Sequence, residues 1–216
     1  TQRVAADASH HLRSPLTGVR LRLEAISDLS TDPDIVHNAE SAMSEVDRLA
    51  HRIDQILLLT RADSGTVEIH REEFDAIVTD RVAAAGVIAV ERGIEIDVQT
   101  EPCSVDVPIG TCARIVDELL GNAMAYATSK IYVNLAPVEG FAELVVRDDG
   151  PGLPDGTEPE SIFHRFFRAN NSVPGGSGLG LALVRESARL AGGTASAVTA
   201  SELGGLQLTV RLPLLT

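Results

Sequence analysis

Apolar residues in the first third of the chain recur every three or four positions. Leu12, Leu16, Val19, Leu23 and Ile26 form one stripe, and Val36, Ala39, Met43, Val46, Ala50, Ile53 and Leu57 form another, which is the spacing of amphipathic helices. Ser30-Thr31-Asp32-Pro33 lies between them. It offers a capping side chain and a proline suited to the first turn of the following helix. A connection this short makes the two helices antiparallel neighbours. A hairpin with one stripe on each helix cannot bury both alone, and pairing with a second copy closes a four-helix bundle, so residues 1–64 are expected to form a homodimer. Packing of the hairpin against the rest of its own chain is the alternative.

Past Ala62-Asp63-Ser64-Gly65 the pattern changes. Short β-like runs alternate with helical ones, placing a linker at 65–67 and a second domain at 68–216. The expected strands are Val67–Ile69, Ile94–Val98, Ile131–Leu135, Leu144–Asp148, Thr194–Val198 and Leu206–Leu212. Helices are expected over Asp75–Ala89, Thr111–Ala127 and Gly180–Ala191. This predicts an α+β fold, a mixed sheet with helices on one face. Residues 149–178, rich in Gly, Pro, Asp and Asn, are too long for a simple connector and read as a mobile lid.

The 216 residues are 44% hydrophobic and carry a formal net charge of -13, which favours a soluble core and disfavours nucleic acid and anionic lipid as general partners. No apolar run is long enough to span a membrane, and Thr1 begins inside a helical pattern rather than a signal peptide. The chain is therefore expected to be a cytoplasmic fragment of a longer protein, without direct membrane contact of its own. Cys103 and Cys112 are the two cysteines. Their spacing argues against a metal pair, and a domain of this size does not require a disulfide.

Two histidines are adjacent in Ser9-His10-His11-Leu12-Arg13-Ser14-Pro15-Leu16-Thr17. At about 100° per residue, the apolar stripe centres near Leu12 and Val19, with His10 roughly 160° away and His11 roughly 100° away. His10 is expected on the solvent face, with Ser14 one turn on. Pro15 removes a helical hydrogen bond just beyond them. A single exposed histidine is ordinarily just a surface residue, so its meaning depends on the rest of the chain.

Four further stretches follow in order. Glu118-Leu119-Leu120-Gly121-Asn122-Ala123 falls on an expected helix with Glu118 and Asn122 on one face. Asp148-Asp149-Gly150-Pro151-Gly152 ends an apolar strand. Ile162-Phe163-His164-Arg165-Phe166-Phe167-Arg168 mixes aromatics with arginine. Gly176-Ser177-Gly178-Leu179-Gly180-Leu181 precedes a helix, whose N-terminal amides suit phosphate. That run is not a P-loop, because no lysine follows it, and it lacks the βαβ surroundings of a dinucleotide fingerprint.

Together the five stretches resemble the catalytic core of two-component sensor histidine kinases. The resemblance implies a dimeric four-helix bundle followed by an α/β sandwich of the Bergerat type shared with gyrase. It implies ATP and Mg²⁺ as cofactors, autophosphorylation on His10, and transfer to an aspartate of a response regulator receiver domain. A bacterial, membrane-anchored sensor is implied as the parent protein. Asn122 is implied as metal ligand with Glu118 beside it, and Asp148 as acceptor of the adenine amine. Tyr126, Gly150 and Gly152 line that site by the same resemblance. Phe163, Phe166, Arg165 and Arg168 belong to the lid, and Gly176, Gly178, Leu179, Gly180 and Leu181 to the phosphate end.

Three departures from the family pattern bear on activity. His11 stands where an acid usually accepts the imidazole proton, Ser14 where Thr or Asn is common, and Ala125 where a basic residue commonly precedes the aromatic. Glu118 also replaces an Asn and matches gyrase-type enzymes, where a Glu activates water. A degenerate kinase acting as nucleotide-responsive scaffold or phosphatase, and a gyrase-like ATP hydrolase, are the alternatives.

Overall fold

The computed structural model describes residues 18–19, 21–30, 32–43, 45–46, 49, 68–167, 178–199 and 205–215. The chain divides into two compact units, Thr1–Gly65 and Thr66–Thr216. In the first, helix α1 is described over 18–19 and 21–29, and helix α2 over 33–43, 45–46 and 49. The turn between them forms as its residues dictate. Asp32 Oδ1 accepts the Asp34 amide at 3.0 Å, and Pro33 occupies the first helical position, where its missing N–H is not needed. Val19, Leu21, Ile26, Leu29 and Ile35 are exposed in the single chain.

The second unit runs β1 (Ile69–Glu73), α3 (Phe74–Glu91), β2 (Glu95–Thr100), β3 (Ser104–Pro108), α4 (Thr111–Tyr126), β4 (Lys130–Val138) and β5 (Phe141–Asp148). A 3-10 turn (Pro159–Phe163) follows, then α5 (Gly180–Leu190), β6 (Thr194–Thr199) and β7 (Leu206–Pro213). Five strands form one sheet in the order β2-β4-β5-β7-β6. The β2–β4 pair is parallel and the others are antiparallel. β1 and β3 make a separate antiparallel pair, joined to the chain end by a bridge between Val105 and Leu214. The fold is α+β with a mixed sheet.

Alternation along the central strands decides which face carries the helices. Ala142, Leu144, Val146 and Asp148 of β5 are buried, as are Ile131, Val133 and Leu135 of β4 and Leu208, Val210 and Leu212 of β7. They share one core with Phe74, Val78 and Val82 of α3, Ile115, Val116 and Leu119 of α4, and Val184 and Ala188 of α5. Each large apolar side chain buried there stabilises the fold by about 1.5–3 kcal/mol. On the opposite face Tyr132 lies beneath two cations, Arg147 at 4.7 Å and Lys130 at 5.2 Å.

The structure departs from the sequence expectations at the short strands. β3 was not expected, because Val105 and Val107 give only two alternating apolar residues between Pro102 and Pro108. β1 lies at Ile69–Glu73 rather than Val67–Ile69; Val67 is outside the described residues. Its sequence, Ile-His-Arg-Glu-Glu, has the charge of a helix entry, and only pairing with β3 makes it a strand. β5 starts three residues earlier than expected, after a two-residue turn in which Glu139 and Gly140 take φ of 51° and 85°, as a type I′ hairpin requires. The expected lid contains the 3-10 turn.

One carboxylate caps the start of α4 and another holds the segment just past its end. At its N-terminus Glu72 of β1 accepts the Gly110 amide through Oε1 and the Cys112 amide through Oε2 at 3.0 Å, satisfying amides that a helix start leaves unpaired. Burial, then the hydrogen bond and charge of Glu72, push the Cys112 thiol far above its ordinary pKa. Beyond the C-terminus Asp149 accepts the Thr128 amide at 2.8 Å, the Ser129 amide at 3.0 Å and the Ser129 hydroxyl at 2.6 Å. Desolvation works against the Asp149 charge, but the hydrogen bonds from Ser129, Lys130 and Thr128 together hold the carboxyl well below the usual range.

Glu72→Ala is expected to lower the unfolding free energy by about 1–2 kcal/mol, read as a fall in the urea midpoint; an unchanged midpoint would remove its capping role. Asp149 is lowered in the fold, so its stabilising share is present above the unfolded carboxylate value and is lost as pH falls through the folded one. The melting-temperature gap between the parent chain and Asp149→Asn should therefore be widest near neutrality and should narrow below about pH 4. A gap independent of pH would show that the charge of Asp149 contributes nothing.

Candidate functional site

One helical turn separates Glu118 from Asn122 on α4, so both side chains emerge along the same edge of the helix, each half-buried. The Nδ2 of Asn122 is buried and has no hydrogen-bond partner among the described residues. Glu118 reaches the start of α5, where a Cβ added to Gly180 would run into its Oε2. Glycine at 180 therefore lets α5 begin directly against that carboxylate, which sits at the positive end of the helix dipole. Leu179 precedes the helix and brings no capping side chain, and no acidic residue occupies the first turn.

Asp148, at the end of β5, is 2% exposed. Its Oδ1 accepts the Gly150 amide at 2.9 Å and the Leu206 amide at 3.3 Å. Burial pushes its pKa up, and the two amides work in the opposite direction. Gly150 lies against the carbonyl of Tyr126, the last residue of α4. Gly152 takes φ of 69°. The end of β5, the turn after it and the end of α4 thus form one wall, with Asp148 set into it.

The three phenylalanines of the aromatic stretch differ in their surroundings. Phe163 is buried in the core and Phe167 packs against its edge, whereas Phe166 is 69% exposed with φ of 64°. That left-handed turn points the middle aromatic outward, so Phe163 and Phe167 are the anchors. The Phe166 amide donates to the Gly178 carbonyl at 2.8 Å. Gly178 itself has φ of 67°, and a Cβ there would sit 2.8 Å from the backbone of Phe166 and Phe167. Arg165 is exposed and adds its charge to a group on α5 where Arg189, first by hydrogen bond and then by charge, holds Glu186 below its ordinary value. Arg185 lies 5.7 Å from the Phe163 ring.

The structure thus brings together Glu118 with Gly180, Tyr126 with Gly150 and Asp148, and Phe166 with Gly178. Leu179 and Leu181 lie at the same helix start. His10, His11, Ser14, Arg168 and Gly176 lie outside the described residues. Among the described residues no group of three or more His, Cys, Asp and Glu side chains is arranged to hold a metal ion.

Sequence reasoning missed two features. Asp149 works on backbone amides, a role that its place beside Asp148 does not distinguish. Leu206 and the neighbouring Gly205 meet Asp148 from the far end of the chain, and the only hint of that is the Gly204-Gly205 pair ahead of β7.

Residues 109–216 match the family of histidine kinase-, DNA gyrase B- and HSP90-like ATPases, and residues 1–65 match the His Kinase A (phospho-acceptor) domain. The sensor histidine kinase MtrB of Mycobacterium tuberculosis (strain ATCC 25618 / H37Rv) is 36% identical over 199 residues, covering 88% of this chain and 35% of MtrB. The sensor-type histidine kinase PrrB of the same strain is 35% identical over 215 residues, covering 97% of this chain and 47% of PrrB. The chain therefore spans less than half the length of these relatives. Among solved structures, full-length ShkA in complex with AMPPNP has a similar fold, with a TM-score of 0.79 and 21% identity over 100% of this chain and 46% of that one. A mycobacterial sensor histidine kinase, MprB, matches with a TM-score of 0.59 and 29% identity over 67% of this chain and 98% of its own. With an ATPase-type sheet and site in its second unit and the phospho-acceptor pattern in its first, the chain belongs to the histidine kinase family, whose two-component catalytic core it carries.

Proposed function

We propose that this chain binds Mg·ATP in its second unit and transfers the γ-phosphoryl group to His10, from which it passes to an aspartate of a response regulator receiver domain. The observation that carries the reading is the buried Nδ2 of Asn122, which no group among the described residues satisfies. An unmade hydrogen bond of this kind costs about 1–3 kcal/mol, and a ligand bearing phosphate oxygens removes that cost.

Each residue has a task suited to its chemistry. Asp148 accepts a hydrogen bond from the adenine 6-amine, whereas the guanine carbonyl offers no donor there. The Asn122 amide would donate to phosphate through Nδ2 and offer Oδ1, a hard oxygen, to the cation, and Glu118 would orient water beside it. The cation supplies neutralising charge on the phosphates. The start of α5 and the residues just before it, Gly178 through Leu181, turn their amides to the phosphates, and the family pattern assigns Gly176 to the same end. Arg165 and Arg168 add fork-shaped donors. On the hairpin, neutral His10 has a ring nitrogen lone pair free near pH 7 and attacks the γ-phosphorus in line. His11 accepts its proton without adding negative charge, and Ser14 positions water for hydrolysis of the regulator's phosphoaspartate.

The exposed Val19, Leu21, Ile26, Leu29 and Ile35 support a homodimer through residues 1–64, in which a second hairpin covers them. No helix among the described residues is long and apolar enough to cross a membrane. The names of the longer relatives, sensor histidine kinases of mycobacteria, support a core that belongs to a bacterial sensor protein. Glu118 at the mouth of α5 favours a second reading, hydrolysis of ATP by water.

Incubation with γ-labelled ATP separates these readings. Acid-labile, alkali-stable label on the protein is expected, and His10→Gln should abolish it. Label surviving in that variant would move the acceptor elsewhere, free phosphate alone would favour the hydrolase, and binding with neither product would leave a scaffold. His11→Glu should raise the labelling rate several-fold. With His11 as the base, the parent rate should climb through about pH 6.5. A flat profile there, or a slower His11→Glu, would show that the site does not depend on that base.

A further inference from the structure

Two glycines far apart in sequence press on the same carboxylate oxygen. A Cβ at Gly150 would sit 2.8 Å from Asp148 Oδ1, and a Cβ at Gly205 would also sit 2.8 Å from Oδ1 while running into the Asp148 carbonyl. Real Cβ atoms do not approach so closely, so the absence of a side chain at 205 is a condition for the present rotamer of Asp148. The strand pairing supplies the reason. The β5–β7 ladder runs from Phe141↔Pro213 to Arg147↔Gln207 and stops there. The next facing residue, Leu206, gives its amide to the Asp148 side chain at 3.3 Å. Gly205 and Leu206 are both buried, so neither amide nor carboxylate has ready access to bulk water.

We propose that the Gly205-Leu206 segment is a specificity-determining, positioning element, which clamps Asp148 Oδ1 from outside the Asp148–Gly152 turn so that Oδ2 is presented to the amine of an adenine base. This rests on the reading of Asp148 as the acceptor of that amine. Gly205 and Leu206 do not themselves meet the base. They act through a carboxylate whose two oxygens have separate duties: Oδ1 is held by amides from both sides, and Oδ2 reads the ligand. Burial raises the pKa of the group, and the two amides are what favour the ionised, accepting form.

The test uses three nucleotides on the intact chain: ATP, purine riboside triphosphate, which lacks only the 6-amino group, and GTP. Dissociation constants come from displacement of a fluorescent ATP analogue. The parent chain is expected to prefer ATP over purine riboside triphosphate by about tenfold or more, the size of a hydrogen bond to a charged acceptor. Gly205→Ala should weaken ATP by about the same factor while moving purine riboside triphosphate less than roughly twofold, so that the ratio between them collapses toward one. A variant that merely loosened the fold would weaken both alike and leave the ratio standing.

Should the Gly205→Ala chain not fold, replacing Leu206 with its α-hydroxy acid deletes the amide donor without adding an atom in the clamp, and the ratio should fall in the same way. A parent chain indifferent to the 6-amine would remove the role of Asp148 itself. A parent that discriminates, with variants that keep its ratio, would overturn the clamp alone.

Discussion

Everything in the second unit depends on where α4 stops and starts. That helix must bury Ile115, Val116, Leu119 and Leu120 against the sheet and yet leave Glu118 and Asn122 along its open edge. Rotation by one residue, about 100°, would exchange the two sets. Apolar burial alone fixes such a rotation loosely, because it has no direction. The hydrogen bonds of Glu72 at one end and Asp149 at the other are directional, and each ties α4 to a different strand. Polar bonds at the ends thereby set the phase of a helix whose stability comes from the apolar residues between them.

The site then carries groups that a fold selected for stability alone would not keep. Asp148 is a buried carboxylate with a raised pKa, and the Asn122 amide has a donor with no acceptor. Both are costly in the unliganded chain. Asp149, the neighbour of Asp148, is shifted in the opposite direction. The difference is one of partners. Asp149 meets two amides and a hydroxyl just past a helix end, so its charge is satisfied internally. Asp148 meets two amides on one oxygen only, in a drier place. Adjacent residues of one type thus differ in whether the chain itself satisfies their charge.

The helices were legible in the sequence because apolar spacing and burial follow the same geometry: Thr111–Tyr126 and Gly180–Leu190 lie within a residue or so of the expected limits. β1 and β3 were not legible, since each is a strand only by virtue of pairing with the other, and a polar five-residue segment carries no trace of its partner. Which phenylalanines of the aromatic stretch face the core was not legible for a related reason. Three phenylalanines look alike as letters, and only the backbone turn at Phe166 decides which of them face the core. The clamp on Asp148 is harder still, because it joins residues 58 positions apart through an amide that every residue other than proline possesses.

The same logic explains how the lid is tied to the phosphate end of the site. Phe163 and Phe167 fasten the chain before residues 168–177 to the core, and the Phe166 amide bonds the Gly178 carbonyl immediately after that stretch. The two ends of the intervening segment are therefore closed on one another beside the first turn of α5. That contact fixes the backbone immediately before α5. This closure needs a left-handed residue with no Cβ at 178 and an aromatic willing to turn outward at 166. The exposed Phe166 is the consequence of joining the aromatic stretch to the start of α5.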